Sequence, residues 1–127
     1  MTTTRTQAEL GFQVRTEVLG AAYVSASAAS SDPFTEPLQE FLNANCWGLV
    51  WARDGLDRKT RSIVTLTALA ASNKWREFAT HVLGALRNGW TPQELREAIL
   101  HMSVYLGVPT ALEAFRAASP VVAGFEP

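Results

Sequence analysis

Glu77 and His81 are the residues best equipped for proton chemistry. They are four apart, so on a helix their side chains share one face about a turn from each other. A carboxylate so placed fixes the tautomer of the imidazole and raises its pKa, leaving the second ring nitrogen to give or take a proton near neutral pH. The same spacing also suits a surface contact, or a histidine that caps a buried carbonyl. A second group, Arg53, Arg58 and Arg61, falls in the charged run from Arg53 to Ser62. Guanidinium groups beside the free N–H groups of a helix start suit a carboxylate-bearing ligand, although a solvated helix start with charge pairs reads the same way. Cys46 has no flanking residue to lower its thiol pKa and reads as a small buried filler. Trp47 and Trp51 fit either core packing or the wall of a pocket. His101, the only other histidine, reads as packed or interfacial.

These residues need helices to hold them, and helical periodicity runs through the sequence. A first helix spans about Gln7 to Leu19, with Leu10, Val14 and Val18 as an apolar stripe against charged Arg15 and Glu17. Small polar residues from Ser25 to Asp32 read as a linker. Asp32-Pro33 opens a second stretch with Phe34, Leu38, Phe41 and Leu42 on one face, followed by the aromatic segment Trp47 to Trp51. Arg53-Asp54-Gly55 is a turn signal, and Asp57 is an N-cap for a third helix reaching about Ser72. That helix is apolar or small on nearly every side and is expected to be the buried central one. A fourth runs from about Lys74 to Arg87 and stops at Asn88-Gly89. Thr91-Pro92-Gln93-Glu94 is a capping box that opens a fifth, which continues to Gly107. Pro109 opens a last helix, about Thr110 to Ala118, with the tail fraying after Pro120. No stretch alternates with period two, so the fold is expected to be all-α, with about six helices in a single domain over residues 1–127.

Composition excludes several classes of function. Eleven basic and twelve acidic residues give a net charge of -1. That balance leaves no electrostatic footprint for nucleic acid and no polybasic segment for a membrane surface. No apolar run approaches the length of a bilayer span, and the N-terminus lacks an apolar signal core, so a cytoplasmic location is expected. One cysteine and two histidines put a histidine-rich metal site out of reach, a carboxylate-bridged site stays open with no Glu-x-x-His pair to suggest it, and no glycine-rich phosphate loop occurs. Helices apolar on more than one face in so short a chain point to subunit contacts.

Taken in order, many short segments resemble the carboxymuconolactone decarboxylase family. They include Gly11-Phe12-Gln13-Val14-Arg15 with Val18-Leu19-Gly20, then Trp47-Gly48, Trp51 and Arg53, and Gly55-Leu56-Asp57-Arg58 with Thr60-Arg61-Ser62. Glu77, His81, Ala85, Arg87-Asn88-Gly89, Thr91, Glu94 and Gly107-Val108-Pro109 continue the series. The resemblance spans about residues 11 to 118. It implies an alkylhydroperoxidase D-like helical bundle that assembles as a homo-oligomer, a hexamer or a trimer, with sites near subunit boundaries. The peroxide-reducing members of that superfamily need a Cys-x-x-Cys pair, whose positions correspond here to Lys74 and Glu77. A disulfide cycle is therefore excluded.

What the resemblance implies instead is cofactor-free decarboxylation of 4-carboxymuconolactone to an enol lactone. His81, oriented by Glu77, would donate the proton or hydrogen-bond the oxyanion. Arg58, Arg61 or Arg53 would hold the carboxylates that stay. Trp47 and Trp51 would exclude water, with Cys46 close to the substrate. Asn45-Cys46, His101, Leu106 and Glu113 depart from the usual family pattern. A lyase or isomerase acting on another lactone or a polyketide intermediate is thus an alternative, and a non-catalytic binding oligomer is a third.

Overall fold

The computed structural model describes residues 4–127, and among them every regular element is helical. Seven α-helices and one π-helix divide between two compact units, residues 1–56 and 57–127.

In the first unit, α1 (Gln7–Leu19) is capped by Thr6, whose side chain accepts the Glu9 N–H. It ends at Gly20, where φ of 93° places the backbone in a region that suits glycine. The residues expected to form a linker instead continue the helical course as α2 (Ala21–Ala29). Five alanines in nine residues supply helix propensity, and Val24 alone is buried. The serines that suggested a loop lie largely on its outer face. A turn around Asp32 and Thr35 leads to α3 (Glu36–Phe41), which starts later than Asp32-Pro33 suggests. Phe34, Leu38 and Phe41, expected to share one face, are exposed.

A π-helix, Leu42–Trp51, follows without a break. Its wider turn shows in the Ala52 N–H, which donates to the Trp47 carbonyl five residues back at 3.0 Å. It packs on α1 at close range, because a Cβ on Gly11 would collide with the Asn43 carbonyl oxygen and one on Gly48 with that of Gln7. Val14, Val18, Leu19, Trp47 and Trp51 form the core between the two helices.

The second unit contains α4 (Arg58–Ala71), α5 (Trp75–Arg87), α6 (Pro92–Leu106) and α7 (Val108–Gly124). Asp57 caps α4 by accepting the Thr60 N–H at 2.7 Å, and Thr91 with Glu94 forms the capping box of α6, both as expected. The core gathers Leu66, Phe78, Val82, Leu95, Ile99 and Met102 with alanines of α7. The expectation of a wholly buried α4 fails: only Ser62, Leu66 and Ala70 are buried, and Val64 is 58% exposed. The more enclosed helix is α5, with Phe78, Val82, Gly84, Ala85 and Leu86 buried. Helix α7 also runs past Ala118 and through Pro120. Val121, Val122 and Phe125 pack on the core beyond the proline, and that burial offsets the lost backbone hydrogen bond.

Candidate functional site

The expected site residues divide between the units. Trp47 and Trp51 are core residues of the first, stacked with centroids 4.8 Å apart and planes at 28°. The π-helix brings them together, since its wider turn carries residue i+4 back over residue i. Cys46 is half-buried beside this core, and burial pushes its thiol pKa up against the opposing pull of the Arg15 charge. A raised pKa suits a filler rather than a nucleophile. Arg53 is exposed in the turn after the π-helix.

Arg58, Arg61, Glu77 and His81 belong to the second unit. The two arginines occupy the first turn of α4. That turn is anchored from two directions. Asn88, at the end of α5, donates to the Ser62 hydroxyl at 2.9 Å and to the Arg58 carbonyl at 3.3 Å. Trp90 Nε1–H donates to the Lys59 carbonyl at 2.7 Å, while Lys59 Nζ pairs with Glu94 at 3.1 Å. Ser62 is fully buried, so its hydroxyl needs the Asn88 amide. Asn88-Gly89 reads in the sequence only as a helix stop. Its role as the clamp between α4 and α5 needed the three-dimensional pairing.

His81 lies mid-way along α5, one turn from the buried Phe78 and Ala85. It is partly buried, and desolvation pulls its pKa from 6.5 down to about 4, against the smaller upward pull of Glu77. This reverses the expected rise. Glu77 is exposed, and water screens its charge more than it screens the burial of the ring. At neutral pH the imidazole is uncharged.

The remaining singled-out residues are peripheral. His101 is exposed rather than packed, leaning on Tyr105 with centroids 5.4 Å apart. Glu113 is exposed and pairs with Arg116 at 2.7 Å. Arg15, read as part of the polar face of α1, is instead 5% exposed. Sequence periodicity gave no sign of this, because the neighbours that enclose it come from residues 24 to 43.

The Carboxymuconolactone decarboxylase family matches residues 36–120 of the sequence. The chain belongs to that family. The nitrosuccinic acid decarboxylase of Metarhizium robertsii is 46% identical over 104 residues, covering 82% of this chain and 73% of the relative. The 4-carboxymuconolactone decarboxylase of Acinetobacter baylyi is 41% identical over 111 residues, covering 87% and 83% respectively. An uncharacterized 15.0 kDa protein of Paracoccus denitrificans is 34% identical over 79 residues, covering 61% and 59%. The chain is a carboxy-lyase of this family. Among the described residues, no helix is long and apolar enough to cross a membrane.

Proposed function

We propose that the chain decarboxylates a small carboxylated lactone of the 4-carboxymuconolactone type, with His81 as the hydrogen-bond donor to the oxyanion. The observation that carries this reading is the partly buried ring of His81 on α5, whose pKa burial depresses to about 4. Loss of carbon dioxide breaks a C–C bond and leaves its electron pair conjugated with the lactone carbonyl, whose oxygen takes up negative charge; the enolate then takes a proton at carbon from water to give the enol lactone. A neutral imidazole N–H in a desolvated position stabilises that charge more in the transition state than in the ground state. An imidazolium there would be scarce at neutral pH, so of the two roles considered for His81 the hydrogen-bond donor is favoured over the proton donor. The Glu77 charge limits the fall in pKa.

Arg58 and Arg61, on the clamped first turn of α4, are the second unit's candidates to hold a carboxylate that stays. The leaving carboxylate should avoid them, since pairing it would stabilise the ground state. Trp47 and Trp51 already have a structural role in the first unit's core, and the chemistry proposed here does not draw on them. The active form is a homo-oligomer, a reading supported by apolar side chains left exposed on α6 and α7.

A second substrate reading has its own support in the relative that is 46% identical, a nitrosuccinic acid decarboxylase. A nitro group is also an electron sink for a departing carboxylate, and its oxygens would take the same imidazole hydrogen bond. The deciding experiment is an ultraviolet turnover assay with 4-carboxymuconolactone generated in place, run beside nitrosuccinate. Turnover of the lactone, reduced by about 10² or more in a folded His81→Ala variant, is the expected result. Undiminished activity in that variant sinks the role given to His81, and turnover of nitrosuccinate alone moves the substrate to the second class.

A further inference from the structure

The first unit buries the Arg15 guanidinium, and neutral side chains accept its hydrogen bonds. Arg15 Nη1 donates to Gln39 Oε1 at 2.9 Å and to Asn43 Oδ1 at 3.2 Å, and Nη2 reaches Ser27 Oγ at 3.4 Å. None of the ion pairs described involves Arg15. Its Nε–H is shielded from solvent and has no hydrogen-bond partner. Nε and Nη2 form one edge of the planar guanidinium, the edge that receives a carboxylate side-on through two parallel hydrogen bonds. On that edge the protein supplies only the long contact to Ser27. Burying a cation is costly, and an unsatisfied N–H adds to the cost.

Arg15 also lines a pocket of about 360 Å³ that lies wholly within the first unit. Phe12, Val24 and Pro33 give it an apolar wall, and Gln39 and Asn43 hold the guanidinium at its edge. That volume is within the range of small-molecule sites. Asp32 and Glu36 also line it. The Asp32 carboxylate is committed to its own turn, accepting from the Thr35 N–H at 2.9 Å and the Thr35 hydroxyl at 3.1 Å. Glu36 stands exposed in the first turn of α3. The pocket thus combines an apolar wall, a guanidinium with one N–H unsatisfied, and two acidic residues, Asp32 held in its own turn and Glu36 exposed.

We propose that this pocket is a binding site for a small organic carboxylate, with Arg15 as its anchor. The ligand's carboxylate pairs with the guanidinium where Arg15 borders the pocket, a small side-chain shift uncovering the shielded Nε–H, and its carbon skeleton lies against Phe12 and Pro33. The assignment is independent of the role given to His81, which belongs to the other unit. Arg15 differs from Arg53, Arg58 and Arg61 in being enclosed, so a carboxylate on it is less screened by water.

The test uses the full-length protein and succinate as the probe, with succinamide as its uncharged match. In wild type, the Arg15 Nε–H resonance, assigned through its bonds, shifts saturably with succinate and not with succinamide. An Nε–H signal unmoved by excess succinate overturns the proposal without any variant having to fold. In calorimetry, Arg15→Lys keeps the charge but loses the fork, and is expected to weaken succinate binding about tenfold or more. Unchanged affinity in that variant, with its helical circular dichroism intact, also overturns the proposal. Steady-state kinetics then identifies the natural source of the carboxylate. A raised KM with kcat kept in Arg15→Lys assigns it to the substrate; an unchanged KM with succinate binding lost assigns it to a separate effector. Succinate binding without turnover of either decarboxylation substrate leaves this site standing and removes the catalytic reading, and turnover without succinate binding does the reverse.

Discussion

Desolvation outweighs the neighbouring carboxylate at His81, and both its chemistry and its effect on stability follow from that order. A functional neutral imidazole is lost only as pH falls through its folded-state pKa, so kcat/KM is expected to hold down to an acid limb near pH 4 rather than near 6.5. Substrate carboxyls titrate in the same region, and Glu77→Gln separates the two. Removing the charge that raises the histidine's pKa moves the limb to lower pH by under about one unit, while a limb due to substrate stays put. A limb near 6.5 would exclude the desolvated ring as the active group. The stability consequence has a definite sign. The folded-state pKa lies below the unfolded one, so between about pH 4 and 6.5 the unfolded chain binds the extra proton. Stability therefore falls as pH drops across that window, by about 3 kcal/mol in all. Urea titrations at pH 7 and pH 4 are expected to show that loss in wild type and a clearly smaller one in His81→Gln; equal losses would mean that other groups carry it. The pair Glu77 and His81 was legible from spacing, but the direction of the shift was not, because spacing reports the partner four residues away and not the burial of the ring. Arg15 was illegible for the same reason: the enclosing groups, Val24, Ser27, Gln39 and Asn43, are distant in sequence.

Helix ends were legible in proportion to how local their chemistry is. Asp57, Thr91 with Glu94, and Gly107 each announce a terminus through a side chain or a backbone angle that acts within one turn, and each does so in the structure. The π-helix, Leu42–Trp51, has no such local signature. It is favoured by what it packs against, the close seam with α1 that Gly11 and Gly48 allow. Gly11→Ala tests that seam. The added Cβ meets backbone, the Asn43 carbonyl, which cannot rotate away as a side chain would. Separation of α1 from the π-helix is the expected response, with a loss of about 2 kcal/mol or more despite alanine's better helix propensity. Thermal melts should show a fall in Tm of several degrees. A variant as stable as wild type would mean that the two helices do not meet through Gly11. The carbonyl of Asn43 belongs to a residue whose side chain holds Arg15, so the same variant should also weaken succinate binding.

For the molecule as a whole, the decisive quantity is the apolar surface left uncovered. Leu100 and Val104 on α6, then Val108 and Leu112 on α7, follow one another in steps of four, and all are exposed; Val104 and Tyr105 are each 76% exposed. Single exposed apolar residues are ordinary, but a run across two consecutive helices marks an association surface. The second unit already has a core of its own beneath these helices, so the run is surplus to its folding. A chain with a net charge of -1 also lacks the self-repulsion that would keep such surfaces apart. Copies of the chain are therefore expected to associate through this face, and light scattering after gel filtration should give a mass that is a multiple of 13.9 kDa. Val104→Glu would bury an unpaired carboxylate in each copy of the contact. At roughly 2–3 kcal/mol per carboxylate, this weakens association by about 100-fold and shifts the mass towards the single chain at micromolar concentration. Circular dichroism should be unchanged, since Val104 faces away from the core. A wild-type mass of one chain would remove the association outright, and an oligomer indifferent to Val104→Glu would move it to another face. The first unit presents one alternative in Phe34, Leu38 and Phe41, apolar side chains that are all exposed. Leu38→Glu is the matching variant, and whichever substitution lowers the mass identifies the surface that joins the subunits.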